Sequence, residues 1–212
     1  IMEKKFIITI GRQLGSGGLE VARILSQRLG AKLLDKELLK MAAVKSGYSE
    51  ELFKVKDEKP RGFSFGNFFG LRSNVNSNSF EYAGDGEMSS EELFALQASV
   101  MKSAVKEGSA IVVGRCADYI LRDEQNLLTV FITADLPDRI ARIASRKGVS
   151  EGEAEKIINQ GDKSRSAYYD YFTFKKWGDG ASYDVCLNSS RLGIDGCVDT
   201  IIDLLEKHIL KG

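Results

Sequence analysis

The chain has 212 residues, 43% of them hydrophobic and 28% charged, with 30 Lys+Arg offset by 30 Asp+Glu and one histidine. This is the make-up of one ordinary globular domain, alone or carrying an insertion, and zero net charge supplies no global field for a nucleic acid polymer or an anionic membrane. The lone histidine, His208, rules out a multi-histidine metal site and argues against a Ser/His/Asp triad, so arginines, carboxylates, backbone N–H groups and an acquired metal ion are left to carry any chemistry. Phe6-Ile7-Ile8-Thr9-Ile10 is a continuous apolar, β-branched run, which predicts a strand covered on both faces. Val21, Ala22, Leu25 and Leu29 then recur at helical spacing over 17–29, with Gly30 as the stop. A short strand, Lys32-Leu33-Leu34, ends at Asp35, and a helix is expected over 36–46. A long helix is predicted over 90–107, capped by Ser89 or Ser90, with Glu91 and Glu92 in its first turn.

Further strands are predicted at Ala110–Val113, Leu127–Ile132 and Tyr183–Leu187, with helices at 136–147, 151–161 and 196–210. Alternation of this kind implies an α/β fold with a mostly parallel sheet and helices on both sides. Residues 57–88 break the rhythm, combining Gly62, Gly66, Gly70, Gly84 and Gly86 with Phe63, Phe65, Phe68, Phe69 and Phe80. That is too aromatic for a plain linker, and two readings stand: a substrate-covering insertion, or a subunit-contact or partly disordered loop. Cys116, Cys186 and Cys197 are odd in number and form no CxxC pair, so they read as buried or inert thiols in a reducing compartment. No apolar run approaches the ~20 residues that span a bilayer. The first residues run straight into a strand without a signal-peptide core, so a cytoplasmic protein with no membrane partner is expected.

The most informative segment is Gly11-Arg12-Gln13-Leu14-Gly15-Ser16-Gly17-Gly18, between the first strand and the first helix. Glycines there permit positive φ and let several N–H groups converge, and the helix behind them adds its positive end. The segment reads as a phosphate cradle, or as a strand-to-helix turn with no ligand. The full pattern G-x-x-x-x-G-K-[ST] is absent. With Gly17 as the second glycine, Arg12 stands at the first, Gly18 replaces the lysine and Leu19 the Mg²⁺-binding hydroxyl. The missing charge would have to come from Arg12 or from an arginine on a lid.

In order along the chain, FIITIGRQLGSGG, LLD, IVVGRCADYIL, FITADLPDRIARI, DKSR and YDVCLNSS resemble the cytidylate-kinase-like branch of the nucleoside monophosphate kinases. The likeness takes in nearly the whole chain except 57–88. It implies a single P-loop domain over 1–212 with a five-stranded parallel sheet, an acceptor-site insertion around 57–88 and a lid around 146–170. It implies ATP and Mg²⁺ as donor and cofactor, with a small-molecule nucleotide, CMP or dCMP, as acceptor. By position, Gly15, Ser16, Gly17 and Gly18 match the phosphate loop, Asp35 the acid ending the second strand beside the monophosphate, and Gly114-Arg115 the Gly-Arg pair after the third strand. Asp162, Lys163 and Arg165 match part of an Asp/Arg-rich lid, so Arg12, Arg115 and Arg165 stand as candidate catalytic arginines and Asp35, Arg115 and Asp162 as acceptor contacts.

The departures are equally specific. Val113 and Cys116 stand where acids flank the family's Gly-Arg, with Asp118 three residues after Arg115, and Asp35-Lys36-Glu37 replaces the family's D-S-G. Ser164 and Ala167 thin the charged run of the lid. Two other readings follow: a nucleotide- or phosphate-binding regulatory protein with little catalysis, or a kinase of another small metabolite. Arg139, Arg142 and Arg146 lie at i, i+3, i+7, a pattern that serves either a solvated basic face or the phosphates. Trp177 reads as a packing anchor, and the aromatic cluster from Tyr168 to Phe172 as lid packing or a nucleobase platform.

Overall fold

Phe6, Ile7, Ile8, Thr9 and Ile10 are all at most 2% exposed, as an unbroken apolar strand buried on both faces requires. The computed structural model describes residues 4–35 and 90–210. Strands β1 (Ile7–Arg12), β2 (Lys32–Leu34), β3 (Ala110–Val113), β4 (Leu127–Thr133) and β5 (Val185–Asn188) form one sheet ordered β2-β3-β1-β4-β5. Every adjacent pair is parallel. The helices among the described residues are α1 (Gly18–Leu29), α2 (Ser90–Lys106), α3 (Ala117–Ile120), α4 (Leu136–Lys147), α5 (Glu151–Thr173) and α6 (Ser189–Leu204).

Alternate residues of β1 feed two separate cores. Ile8 and Ile10 pack with Val21 and Leu25 of α1 and Val198 and Ile201 of α6. Ile7 faces the other way, among Val100, Met101 and Val105 of α2, Ile120 of α3 and Tyr169 of α5. Each fully buried isoleucine contributes about 1.5–3 kcal/mol, so the central strand is a strong anchor for whatever follows it. A third, smaller cluster joins Ile143 of α4 to Ala154 and Ile158 of α5, with Leu14 of the glycine-rich turn packed against it. The α4–α5 pair is thereby tied to the end of β1. From β1 the chain continues to β2 on one side, and from β4 to β5 on the other, so the crevice beyond their carboxyl ends is a topological switch point.

The last strand is Val185–Asn188 rather than Tyr183–Leu187, the short helix α3 is not among the expected elements, and three further elements differ from the sequence expectation. β1 reaches Arg12 because Gly11 and Arg12 still pair with Phe131 and Ile132 of β4. The helix expected to stop at 161 runs on to Thr173. Gly161 sits inside it rather than ending it, because a Cβ there would lie 2.7 Å from Leu14 Cδ2 and the glycine leaves room for that side chain. The last helix starts at Ser189 rather than 196, capped by the Asn188 side chain, and Gly193 (φ 70°, ψ 173°) interrupts it. That kink puts the early turn out of phase with the apolar stripe beyond it. The helix expected over 36–46 and the 57–88 insertion lie outside the described residues. No helix among the described residues is long and apolar enough to cross a membrane.

Candidate active site

The turn after β1 is stapled on both sides. Gln13 N–H donates to Ile132 O at 3.1 Å, and its Oε1 accepts from Thr133 Oγ1 and from Ala134 N–H. Ser16 is fully buried; its hydroxyl donates back to Gln13 O at 2.9 Å, while its carbonyl accepts from Ser189 Oγ at 2.7 Å. Its hydroxyl is thus spent on the shape of the loop. Gly15 (φ 83°) and Gly17 (φ 79°) take the left-handed conformation, and a Cβ at Gly15 would lie 2.8 Å from Arg139 O. The N–H groups of Gly15, Gly17, Gly18 and Leu19 donate to no acceptor among the described residues. With the N-terminus of α1 directly behind them, they form a cradle suited to an anion.

Helices α4 and α5 grip this loop from outside. Asp162 Oδ1 accepts from Leu14 N–H at 2.7 Å, and its other oxygen pairs with Arg139, whose Nε donates to Leu14 O at 2.8 Å. Arg142 donates to Gly15 O. Arg165 donates to Arg12 O at 3.2 Å and lies 3.9 Å from Asp162. Two of the three arginines with i, i+3, i+7 spacing therefore face inward, with Arg139 only 6% exposed, while Arg146 is solvated. Asp162, expected at the acceptor, is occupied with the loop backbone and Arg139.

Arg12 runs sideways from β1. Its Cβ would clash with a side chain at Gly18 (2.6 Å), and its Nη1 lies where a Cβ of Gly114 would stand (2.0 Å). Burial, together with neighbouring Arg165 and Arg115, pulls Arg12 well below the ordinary arginine range, and Asp162 and Asp35 oppose that shift. Burial likewise lowers Arg165. Guanidinium groups stay charged in proteins, so the meaning is electrostatic crowding that an anion would relieve. The fold thus brings Arg12, Asp35, Arg115, Asp162 and Arg165 together from four separate stretches of chain. The loop residues Gly15 to Gly18 lie immediately beside them.

Below this cluster, burial pushes the Cys116 thiol up, which makes it a packing group rather than a nucleophile. Cys197 is also buried, and Cys186 is exposed. Trp177 packs edge-on against Phe131 at 5.3 Å, and Phe94 stacks on Phe172 at 4.3 Å. Sequence reasoning did not find the roles of Gln13, Ser189 or the Tyr169–Asp118 hydrogen bond (2.6 Å). Only the spacing of Arg139 and Arg142 carried a usable signal.

A parallel sheet of this order, with a glycine-rich turn after its central strand and arginines beside it, defines a P-loop fold. The chain belongs to the cytidylate kinase-like family, whose model matches residues 7–191. It is therefore a phosphotransferase acting on a nucleotide or small metabolite. It is similar to the cytidylate kinase of Archaeoglobus fulgidus, 25% identical over 214 aligned positions covering 96% of this chain and 97% of that one. Its structure is similar to that of an uncharacterized protein from Eubacterium ventriosum, with TM-score 0.71, 27% identity and coverage of 96% and 100% of the two chains. A gluconokinase from Sinorhizobium meliloti shares the fold at TM-score 0.58 and 10% identity, over 97% of this chain and 94% of that one.

Proposed function

We propose that this chain transfers the γ-phosphoryl group of ATP to a nucleoside monophosphate, with CMP or dCMP the favoured acceptor. The observation that carries this reading is the convergence of Arg12, Arg115 and Arg165 beside a cradle of N–H groups at Gly15, Gly17 and Gly18. Phosphoryl transfer needs positioned phosphates and neutralised charge more than a strong base, which suits a site without histidine. In this account the loop receives the donor phosphates through backbone N–H groups and the end of α1. Arg12 lies between loop and Gly114, where it can touch the transferring group, and supplies the charge that Gly18 lacks. Arg115 and Asp35 face the acceptor, and Arg165 on the lid helix completes the ring. The grip of Asp162 and Arg139 keeps the cradle shaped before ATP arrives.

The residues present fit a polyphosphate better than a dedicated metal cage. Leu19 replaces the hydroxyl, the Ser16 hydroxyl is buried against Gln13, and no cluster of three or more His, Cys, Asp or Glu able to hold a metal occurs among the described residues. Mg²⁺ would arrive on the nucleotide phosphates, as it commonly does, and supply charge neutralisation there. The single-domain organisation over 1–212, with a lid around 146–170 and an acceptor-side insertion at 57–88, belongs to this proposal. A small-molecule nucleotide as partner, with no nucleic acid polymer or membrane, and a cytoplasmic location belong to it too.

A panel of nucleoside monophosphates assayed with Mg-ATP tests the proposal. Transfer to CMP or dCMP, lost in Arg12→Ala, is the expected result. Nucleotide binding with no transfer to any acceptor would favour the regulatory reading, which the Gly18 and Leu19 replacements motivate. Transfer only to a non-nucleotide acceptor would reassign the substrate.

A further inference from the structure

Arg115 sits on a costly stretch of backbone. Gly114, Arg115 and Cys116 are consecutive left-handed residues, with φ 73°, 60° and 55°. Residues with a Cβ avoid that region, and such a turn persists only where its surroundings over-determine it. One end is fixed by the sheet, because Gly114 N–H donates to Ile10 O at 3.0 Å. The other end runs straight into α3, a helix of four residues, too short to hold itself. Its one long-range side-chain hydrogen bond among the described residues comes from Tyr169, whose hydroxyl donates to Asp118 Oδ2 at 2.6 Å.

Tyr169 lies one turn beyond Arg165 on α5, so the contact closes a circuit. Arg165 bonds the carbonyl of Arg12, Arg12 lies on Gly114, Gly114 leads through Arg115 to Asp118, and Asp118 returns to α5 through Tyr169. The circuit passes Arg12, Arg115 and Arg165, of which the last two act on Arg12 as like charges. Any shift of α3 within its core packing would carry Arg115 with it. Holding Asp118 there is not free. Burial pushes its carboxyl up, against the Tyr169 hydrogen bond and the nearby charge of Lys175, and Cys116 and Tyr183 complete its surroundings.

We propose that Asp118 and Tyr169 are positioning residues: their hydrogen bond is the strut that holds Arg115 in register with Arg12 and Arg165 for phosphoryl transfer. This rests on the phosphotransfer reading above. Neither residue touches substrate; both act through Arg115.

Tyr169→Phe removes one oxygen and keeps the ring in its packing. It is expected to lower kcat roughly 10- to 100-fold, the penalty of misplacing a reacting group by about an ångström. The KM for ATP should stay within about two-fold, because the cradle is held separately by Asp162 and Arg139. Asp118→Asn keeps an oxygen that accepts from Tyr169, and should retain kcat within about three-fold of the parent, whereas Asp118→Ala should match Tyr169→Phe. A purely structural contact would lower the melting temperature and leave kcat per folded molecule unchanged. A Tyr169→Phe kcat within about two-fold of the parent overturns the strut. Should the parent transfer phosphate to no acceptor, the functional reading fails and the strut is judged by the crystal structure of Tyr169→Phe. A Gly114–Cys116 turn displaced by about an ångström supports it, and an unmoved turn overturns it.

Discussion

The two flanks of the β1 carboxyl end are built on opposite electrostatic plans. On the α4–α5 flank, Asp162, Arg139, Arg142 and the carbonyls of Leu14 and Gly15 are paired with one another, and the loop has its shape without any ligand. On the Gly114 flank, burial makes the charges of Arg12 and Arg165 costly, and Arg165 and Arg115 crowd Arg12 with like charge. The first flank is preorganised by its own pairing; the second gathers like charges where an anion would be favoured. Substitutions on the paired flank should therefore cost stability, and those on the crowded flank should cost catalysis.

Arg115→Ala tests the crowded flank most severely. Its kcat/KM should fall about 10²–10³-fold, as for loss of one transition-state charge contact, with a smaller drop in thermal midpoint than Asp162→Ala shows. A melting temperature lowered in step with activity would erase the distinction between the flanks. Next in size, Asp162→Ala leaves Arg139, 6% exposed, without its carboxylate. A loss of about 3 kcal/mol on chemical denaturation is expected, with ATP affinity falling through a loosened Leu14. Unchanged stability there would mean the pairing is incidental.

The smallest effect concerns pH. Burial raises Asp118 above the ordinary carboxylate range, so between the unfolded and folded values the native state holds the proton more tightly. Its contribution to stability is full below about pH 4 and is lost as pH rises through the folded value. Asp118→Asn does not titrate, so denaturation at pH 4 and pH 7.5 should show the variant gaining on the parent as pH rises. A pH-independent difference would remove Asp118 from the set of strained groups.

The regular elements were legible because their signals are local. Phe6–Ile10 declares a doubly covered strand, and Gly30 ends α1 with φ 61° as a stop signal should. The Gly15–Gly18 turn was recognisable from its glycines and its place between strand and helix. Gly161 misled for a related reason: locally it reads as a break, but the contact that explains it is with Leu14, far away in sequence. Arg139 and Arg142 were visible as a spaced set, but nothing in their spacing separates a face packed on a loop from one in water.

Taken alone, the sequence determined an α/β alternation, a glycine-rich turn after the first strand, and a family resemblance carried by ordered motifs. Each of those rests on periodicity or turn chemistry read over a few residues. Tertiary structure alone decided that Asp162 grips Leu14 across 148 residues, that Arg12 turns toward Gly114, and that Tyr169 ties α5 to Asp118 across 51. Whether a charge is paired, crowded or solvated depends on which distant segments the sheet order brings together, and one zero-sum composition serves all three outcomes. From the balanced 30 and 30 charges the fold thus draws one flank of paired groups and one of crowded arginines.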